Sequence, residues 1–181
     1  MIQTIHLDAV LRETVTAPFG DLVTRPTGAA VRGRIQQAIK AASGCALTRL
    51  DFSAVRLIDF SCADEVVAKL LLAADPAVER YVVLHGLSED QVEAIDHVLA
   101  GHRLAVAALT LDHARPLVLG WATGDDRAAF DAVQDSGGCD AGLLARVLAW
   151  PLNRCCDTLI SLASRRLVRP TPTAFMPLVL P

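Results

Sequence analysis

The sequence predicts an α/β domain over residues 1–121, followed by a smaller unit of three helices and a hairpin over residues 122–181. Short apolar strand patterns alternate with amphipathic helix patterns in the first segment, which is typical of a sheet layered by helices. After residue 122, three helix patterns follow one another closely. The chain has 181 residues, and this length accommodates two small domains.

The amino-acid composition argues against several classes of function. Hydrophobic residues make up 52% of the chain and charged residues 20%, so the chain can bury a core. The formal net charge of -3 lacks the basic excess of a protein that neutralises many phosphates. No apolar run reaches the length of a membrane span, and the five cysteines show no Cys-x-x-Cys spacing. We therefore expect a cytoplasmic protein with no membrane contact, metal site or cofactor.

The N-terminal patterns are short. Residues 2–10 alternate apolar and polar side chains, which predicts a first strand. A second short strand around Leu22 and Val23 precedes a helix. Thr27 is its predicted N-cap and Gly44 its predicted end.

The central patterns continue the alternation. Residues 46–52 predict a strand, and Ser61 is the predicted N-cap of the next helix, with Asp64 completing a variant capping box. A second capping box at Ser88 and Gln91 begins another helix. The remaining predicted strands cover residues 81–84, 104–111 and 117–121.

The C-terminal patterns predict a winged helix-turn-helix. Two helix patterns on either side of residue 140 are followed by a third that starts at Pro151, a residue suited to a helix start. The chain then passes the turn-forming residues 170–172 between two apolar stretches, as in a hairpin. Three helices followed by a hairpin are the elements of a winged helix.

The segment from Leu50 to Glu65 reads Leu-Asp-Phe-Ser-Ala-Val-Arg-Leu-Ile-Asp-Phe-Ser-Cys-Ala-Asp-Glu. It resembles the signature of the STAS fold, in which a strand ends in Asp-x-Ser-x-Val and Asp-Ser-Ser-Gly begins a helix. Within that fold it most resembles a STAS-like family of bacterial proteins that carry a Ser-x-Ala-Asp-Glu motif. The similarity covers roughly residues 1–110, so the resemblance implies a STAS-like mixed sheet layered by helices.

In the anti-sigma-factor antagonists of this fold, a partner kinase phosphorylates a serine at a helix start and thereby switches partner binding. The matching position here is Ser61. The resemblance implies a partner protein, such as a histidine-kinase-like ATPase or an anti-sigma factor, that contacts Asp59, Cys62, Asp64 and Glu65. A helix N-terminus favours phosphate, whereas the three carboxylates would repel it. A plain N-cap role for Ser61 is the alternative.

The C-terminal unit allows two interpretations. From residue 122 onward it contains six Arg and six Asp, so it lacks the basic excess that DNA binding favours. In a DNA-binding interpretation, Asn153 and Arg154 would read base edges. The arginines that would contact phosphates are Arg165, Arg166 and Arg169. A protein-contact or homodimerisation role is the favoured alternative.

No catalytic set emerges from the sequence. The histidines are scattered, and no His-Glu-x-x-His, Gly-x-Ser-x-Gly or phosphate-loop motif is present. A group of Ser61, His85 and Asp51 is one alternative, and an anion held by Arg25 in the loop over residues 24–28 is another. We expect a non-enzymatic bacterial regulatory protein that binds a partner through its STAS-like domain. A DNA-binding transcriptional regulator is the second hypothesis.

Overall fold

A five-stranded mixed sheet lies at the centre of the computed structural model, which describes residues 2–14, 20–42, 44 and 46–178. In spatial order its strands are β1 (Ile2–His6), β3 (Leu47–Asp51), β5 (Tyr81–Leu87), β6 (Ala105–Thr110) and β7 (Leu117–Gly120). The first four run parallel, and β7 pairs antiparallel with β6. Two short strands, β2 (Asp21–Leu22) and β4 (Leu57–Ile58), form a separate parallel pair.

The helices fall into two groups along the chain. The first group comprises α1 (Leu7–Thr14), α2 (Arg25–Ala41), α3 (Phe60–Ala63), a π-helical segment (Asp64–Ala68), α4 (Lys69–Leu72) and α5 (Glu89–Gly101). The second comprises α6 (Gly124–Asp135), α7 (Ala141–Leu148) and α8 (Leu152–Ser164), followed by the hairpin of β8 (Val168–Pro170) and β9 (Phe175–Pro177). Since α3, the π-helical segment and α4 are contiguous, they form one helix over residues 60–72.

One face of the sheet packs against the first group of helices. Ile5, Leu50, Leu84 and Ala108 are register partners across four parallel strands, and all are buried in one core. The helices contribute small and branched apolar side chains to this core. Those of the helix over residues 60–72 are Cys62, Ala63, Val66, Val67, Ala68 and Leu70.

The opposite face of the sheet packs against the C-terminal helices. Val83 and Ala107 of the sheet share a second core with Phe130 of α6, Leu144 of α7 and Leu159 of α8. The predicted boundary near residue 122 therefore separates two segments of sequence that share a core in space. The division into domains 1–121 and 122–181 stays a prediction.

The N-terminal strand is shorter than predicted. The alternation over residues 2–10 predicts one strand, but the strand ends at His6 and Leu7 begins α1. Leu7 and Leu11 are both buried because their four-residue spacing places them on one helix face. α2 begins at Arg25 with Thr24 before it, so the predicted N-cap role of Thr27 is wrong, and its C-cap is Ala42 rather than Gly44.

Most other predicted elements are present. The capping box of Ser88 and Gln91 is confirmed at the start of α5. The three C-terminal helices and the hairpin are also present, although α8 begins at Leu152 with Pro151 at its N-cap. The last residues of the predicted final apolar stretch lie outside the described part of the chain, as does Cys45. Within the described residues, no helix has both the length and the apolar character needed to cross a bilayer.

Candidate functional site

The turn that the resemblance singles out is a strand-to-helix corner whose N-cap is Asp59. The Asp59 carboxylate accepts a hydrogen bond from the Cys62 amide at 2.7 Å and another from the Thr24 amide at 3.0 Å. Burial raises the pKa of Asp59, but these hydrogen bonds outweigh it and leave the pKa below its ordinary value. Asp59 therefore joins the start of α2 to the start of α3 as a carboxylate.

Ser61 lies in the first turn of α3, and its predicted N-cap role is wrong because Asp59 occupies that position. The Ser61 hydroxyl donates a hydrogen bond to Asp59 Oδ1 at 2.8 Å, and the side chain is partly exposed. The variant capping box with Asp64 is also wrong, since Asp64 bonds other partners. Ser61 thus stays at a helix N-terminus, beside a carboxylate.

The corner also carries two exposed apolar side chains. Phe60 is 53% exposed and Leu57 is 44% exposed. The Phe60 ring contacts the His97 ring edge to face, with centroids 5.3 Å apart. The corner therefore presents apolar surface to solvent.

Glu65 is the buried anchor of the corner. The residue is only 3% exposed, and its carboxylate faces three cations. Arg25 Nη1 lies 3.0 Å from Oε1, Arg32 Nη1 lies 3.0 Å from Oε2, and Lys69 also bonds Oε1. Burial raises the pKa of Glu65, but Lys69 and Arg25 outweigh burial and lower it. These ion pairs fasten α2 to the helix over residues 60–72.

Asp64 extends the same network towards α5. Its carboxylate bonds His102 Nε2 at 2.7 Å and Arg25 Nη1 at 2.9 Å. Burial raises the pKa of Asp64, and the hydrogen bonds from His102 and Arg25 more than compensate for burial. The partly exposed Asp64 is accessible from solvent, unlike Glu65.

Cys62 and Gly28 form the contact between α2 and α3. Cys62 is fully buried, and its thiol donates to the Thr24 carbonyl at 3.0 Å. Burial and the Asp59 charge raise the pKa of Cys62 to about 12, so the thiol is protonated. A Cβ at Gly28 would lie 2.8 Å from Glu65 Cβ and 3.1 Å from Cys62 Cα. Only glycine permits so close an approach without a shift of either helix.

Of the residues predicted to bind a partner, Asp59 and Asp64 are thus partly exposed, whereas Cys62 and Glu65 lie beneath the surface. None of the protein-family models, curated proteins or solved structures compared with this chain matches it.

The arginines predicted to contact DNA are largely engaged within the protein. Arg154 forms a bidentate ion pair with Asp125, at 2.8 and 2.6 Å, and its guanidinium lies 4.1 Å from the centroid of the Trp150 ring. Arg165 pairs with the buried Asp126 at 3.1 Å. These cations are therefore partly neutralised by carboxylates of α6.

Arg166 donates to the carbonyls of Asp75 and Val78, at 2.8 and 3.0 Å, so it ties the end of α8 to the loop before β5. Asn153 and Arg169 are exposed, and neither side chain forms a hydrogen bond or ion pair with any residue the structure describes. Among the predicted DNA contacts, these two side chains are therefore the ones without a hydrogen-bond or ion-pair partner in the described residues.

Two members of the alternative catalytic group do meet. The Asp51 carboxylate lies 2.9 Å from His6 Nδ1 and 3.5 Å from His85 Nδ1. It also accepts a hydrogen bond from the Ser53 amide at 3.0 Å. Ser61 bonds Asp59 instead of joining this pair. Residues 2–14, 20–42, 44 and 46–178 contain no group of three His, Cys, Asp or Glu side chains that could hold a metal ion.

Sequence reasoning missed the cations and the aromatic ring of the corner. The loop over residues 24–28 predicts an external anion at Arg25, but the partners of Arg25 are Asp64 and Glu65. Nothing in the sequence near Arg32 predicts its ion pair, because its partner Glu65 is distant in sequence. Phe60 lies within the corner motif, but its exposure depends on how the helix packs, which the sequence does not show.

Proposed function

We propose that this chain is a non-enzymatic regulatory protein that binds a partner protein through the corner around Phe60 and Ser61, in the manner of an anti-sigma-factor antagonist. The observation that carries the proposal is the exposure of Phe60, next to Ser61 in sequence, and of Leu57, four residues before it. Protein interfaces concentrate their binding energy in aromatic anchors of this kind. The STAS-like resemblance of residues 50–65 supports the same surface.

The rigidity of the corner also supports the proposal. Asp59, Asp64 and Glu65 tie together α2, the helix over residues 60–72 and the end of α5. A surface held in one geometry loses little conformational entropy when a partner binds. The C-terminal helices pack on the opposite face of the sheet, so they leave the corner open.

A phosphoserine switch at Ser61 is part of the proposal. Phosphate would add a charge of about -1.5 to -2 next to Asp59, which now accepts the Ser61 hydroxyl. The added repulsion would break the Asp59 contacts that shape the corner, so phosphorylation would release the partner. Intact mass measurement of the parent chain and Ser61→Ala after incubation with candidate kinases tests this step. An added phosphate in both proteins would contradict Ser61 as the site.

Site-specific photo-crosslinking tests the partner surface. A benzoylphenylalanine placed at Phe60 should crosslink one protein in the cell, whereas the same probe at Leu72 should not. Leu72 is a matched control because it is 57% exposed and lies at the far end of the same helix. Equal crosslinking at both positions, or none at Phe60, contradicts the proposal.

A DNA-binding role for the C-terminal unit is the second candidate. The order of three helices and a hairpin favours it, because this is the order in a winged helix. The pairing of Arg154 and Arg165 with aspartates weakens it, since phosphate contacts supply most non-specific affinity. A gel-shift assay with random DNA duplex at about 100 mM salt distinguishes a DNA-binding role from a protein-binding role. Binding at micromolar protein that is lost in Arg169→Ala would support the DNA role.

A further inference from the structure

A second site lies where the C-terminal unit meets the amino ends of β5 and β6. A cavity of about 1030 Å³ opens there between α2, the loop before β5 and the end of α8. It is lined by five cationic side chains, Lys40, Arg80, Arg103, Arg165 and Arg166. The acidic side chains of its lining are Asp75 and Glu79. Arg165 is paired with Asp126, and the four remaining cations still outnumber the two acidic side chains. This local positive excess in a chain of net charge -3 favours an anionic ligand.

Two of these arginines occupy a backbone conformation that normally belongs to glycine. Arg103 has φ 55° and Arg166 has φ 58°. Each follows the C-cap of a helix, and the two helix ends share one hydrogen-bond pattern: Leu104 N to Leu99 O and Leu167 N to Leu162 O, both at 2.9 Å. Glycine is the preferred residue at this position, so an arginine there costs free energy. Both of these costly arginines line the same cavity.

Some of these cations already form hydrogen bonds within the protein, and others do not. Arg80 donates to the Ile39 carbonyl and Arg166 to two loop carbonyls, so they hold the walls. The exposed side chains of Lys40 and Arg103 form no hydrogen bond or ion pair with any residue in the described part of the chain. They are therefore the cations available to a ligand.

The lining is also apolar. Ile39, Leu71 and Leu104 are partly buried in the wall, and Val78 on the facing loop is 40% exposed. Ligand sites combine such apolar surface with a few polar groups that fix orientation. We propose that this cavity binds an amphipathic anion, whose apolar body lies on Ile39, Leu71 and Leu104 and whose carboxylate or phosphate lies at Arg103 and Lys40.

Both segments of the chain line the cavity. Arg165 and Arg166 belong to the end of α8, whereas Lys40 and Arg103, the proposed ligand contacts, belong to the α/β segment. This inference is independent of a partner at Phe60, because none of the corner residues lines the cavity.

Fluorescence titration with anilinonaphthalene sulfonate, an apolar probe with one negative charge, tests the site. The parent chain should bind one probe per chain, and decanoate or decyl phosphate should displace it, whereas decanol and inorganic phosphate should not. The stronger of the two competitors identifies the head group. No saturable binding, or equal displacement by decanol, overturns the proposal.

Arg103→Gly is the decisive variant, since it removes the charge and also relieves the left-handed backbone, so the protein remains folded. It should weaken probe binding about tenfold, the effect of losing one charge-assisted hydrogen bond. Ala74→Trp, which adds a bulky ring to the cavity lining, should also weaken binding. Arg12→Gln, an exposed arginine on α1 outside the cavity, is the charge-matched control and should bind like the parent. Unchanged binding in both Arg103→Gly and Ala74→Trp overturns the proposal.

Discussion

Replacing Gly28 with alanine measures how tightly α2 must approach the helix over residues 60–72. The new Cβ would lie 2.8 Å from Glu65 Cβ and 3.1 Å from Cys62 Cα, and the second of these is a backbone atom. The two helices would therefore have to separate, which stretches the ion pairs of Glu65. Overpacking of this kind costs about 1–3 kcal/mol.

Gly33→Ala is the matched control, because Gly33 is in the same helix and a Cβ there meets nothing within 4 Å. Both substitutions gain about 1 kcal/mol of helix propensity. Since that gain cancels in the comparison, Gly28→Ala should be less stable than Gly33→Ala by the overpacking cost alone, about 1–3 kcal/mol.

Urea unfolding followed by far-ultraviolet circular dichroism gives both free energies of unfolding. Gly33→Ala should unfold at a higher midpoint than the parent chain, with an unchanged slope. Equal stabilisation by the two substitutions would refute the close contact between α2 and the corner.

Three further results should follow from the corner. Glu65→Gln should lower the free energy of unfolding by about 1–3 kcal/mol, because it leaves Arg32 and Lys69 without their shared carboxylate. The pKa values of Asp59, Asp64 and Glu65 lie below their ordinary values, so the unfolded chain binds more protons and stability should fall below about pH 4. The stability of Glu65→Gln should fall less steeply below about pH 4 than that of the parent chain. An identical fall in the two proteins would contradict the ion-pair network of Glu65. Asp59→Ala should cost about 1–2 kcal/mol, as should the N-cap control Asp140→Ala, but only Asp59→Ala should impair partner binding.

The sequence predicted the central strands well because their apolar runs are both short and buried. It failed at residues 7–10, where the alternation of Ile5, Leu7 and Ala9 fits a strand and the spacing of Leu7 and Leu11 fits a helix. Burial of both leucines decides between these patterns, and burial depends on tertiary packing.

The location of the corner was predictable, whereas its internal bonding was not. Asp59, Ser61 and Asp64 are adjacent in sequence, so a local motif reveals them together. The partners of Glu65 come from α2, which is distant along the chain, and the π-helical turn that carries Glu65 has no local signal. The helix start was misplaced because Asp59 and Ser61 are both good N-caps, and only the hydrogen bond to Cys62 N distinguishes them.

The sequence also did not predict that the two segments share a core. Helix patterns after residue 122 show which faces are apolar, but they do not show what covers those faces. Val83 and Ala107 of the sheet complete the core with Phe130. The apolar periodicity of a segment does not show which distant residues it packs against.

The affinity of the crosslinked partner for Phe60→Ala is the most direct test of the proposed function. Isothermal titration should show a loss of at least about tenfold for this variant, as for an aromatic anchor of an interface. Leu72→Ala should bind like the parent chain, and both variants should match the parent in their unfolding midpoints. Undiminished affinity of Phe60→Ala would contradict the assignment of the partner surface to this corner.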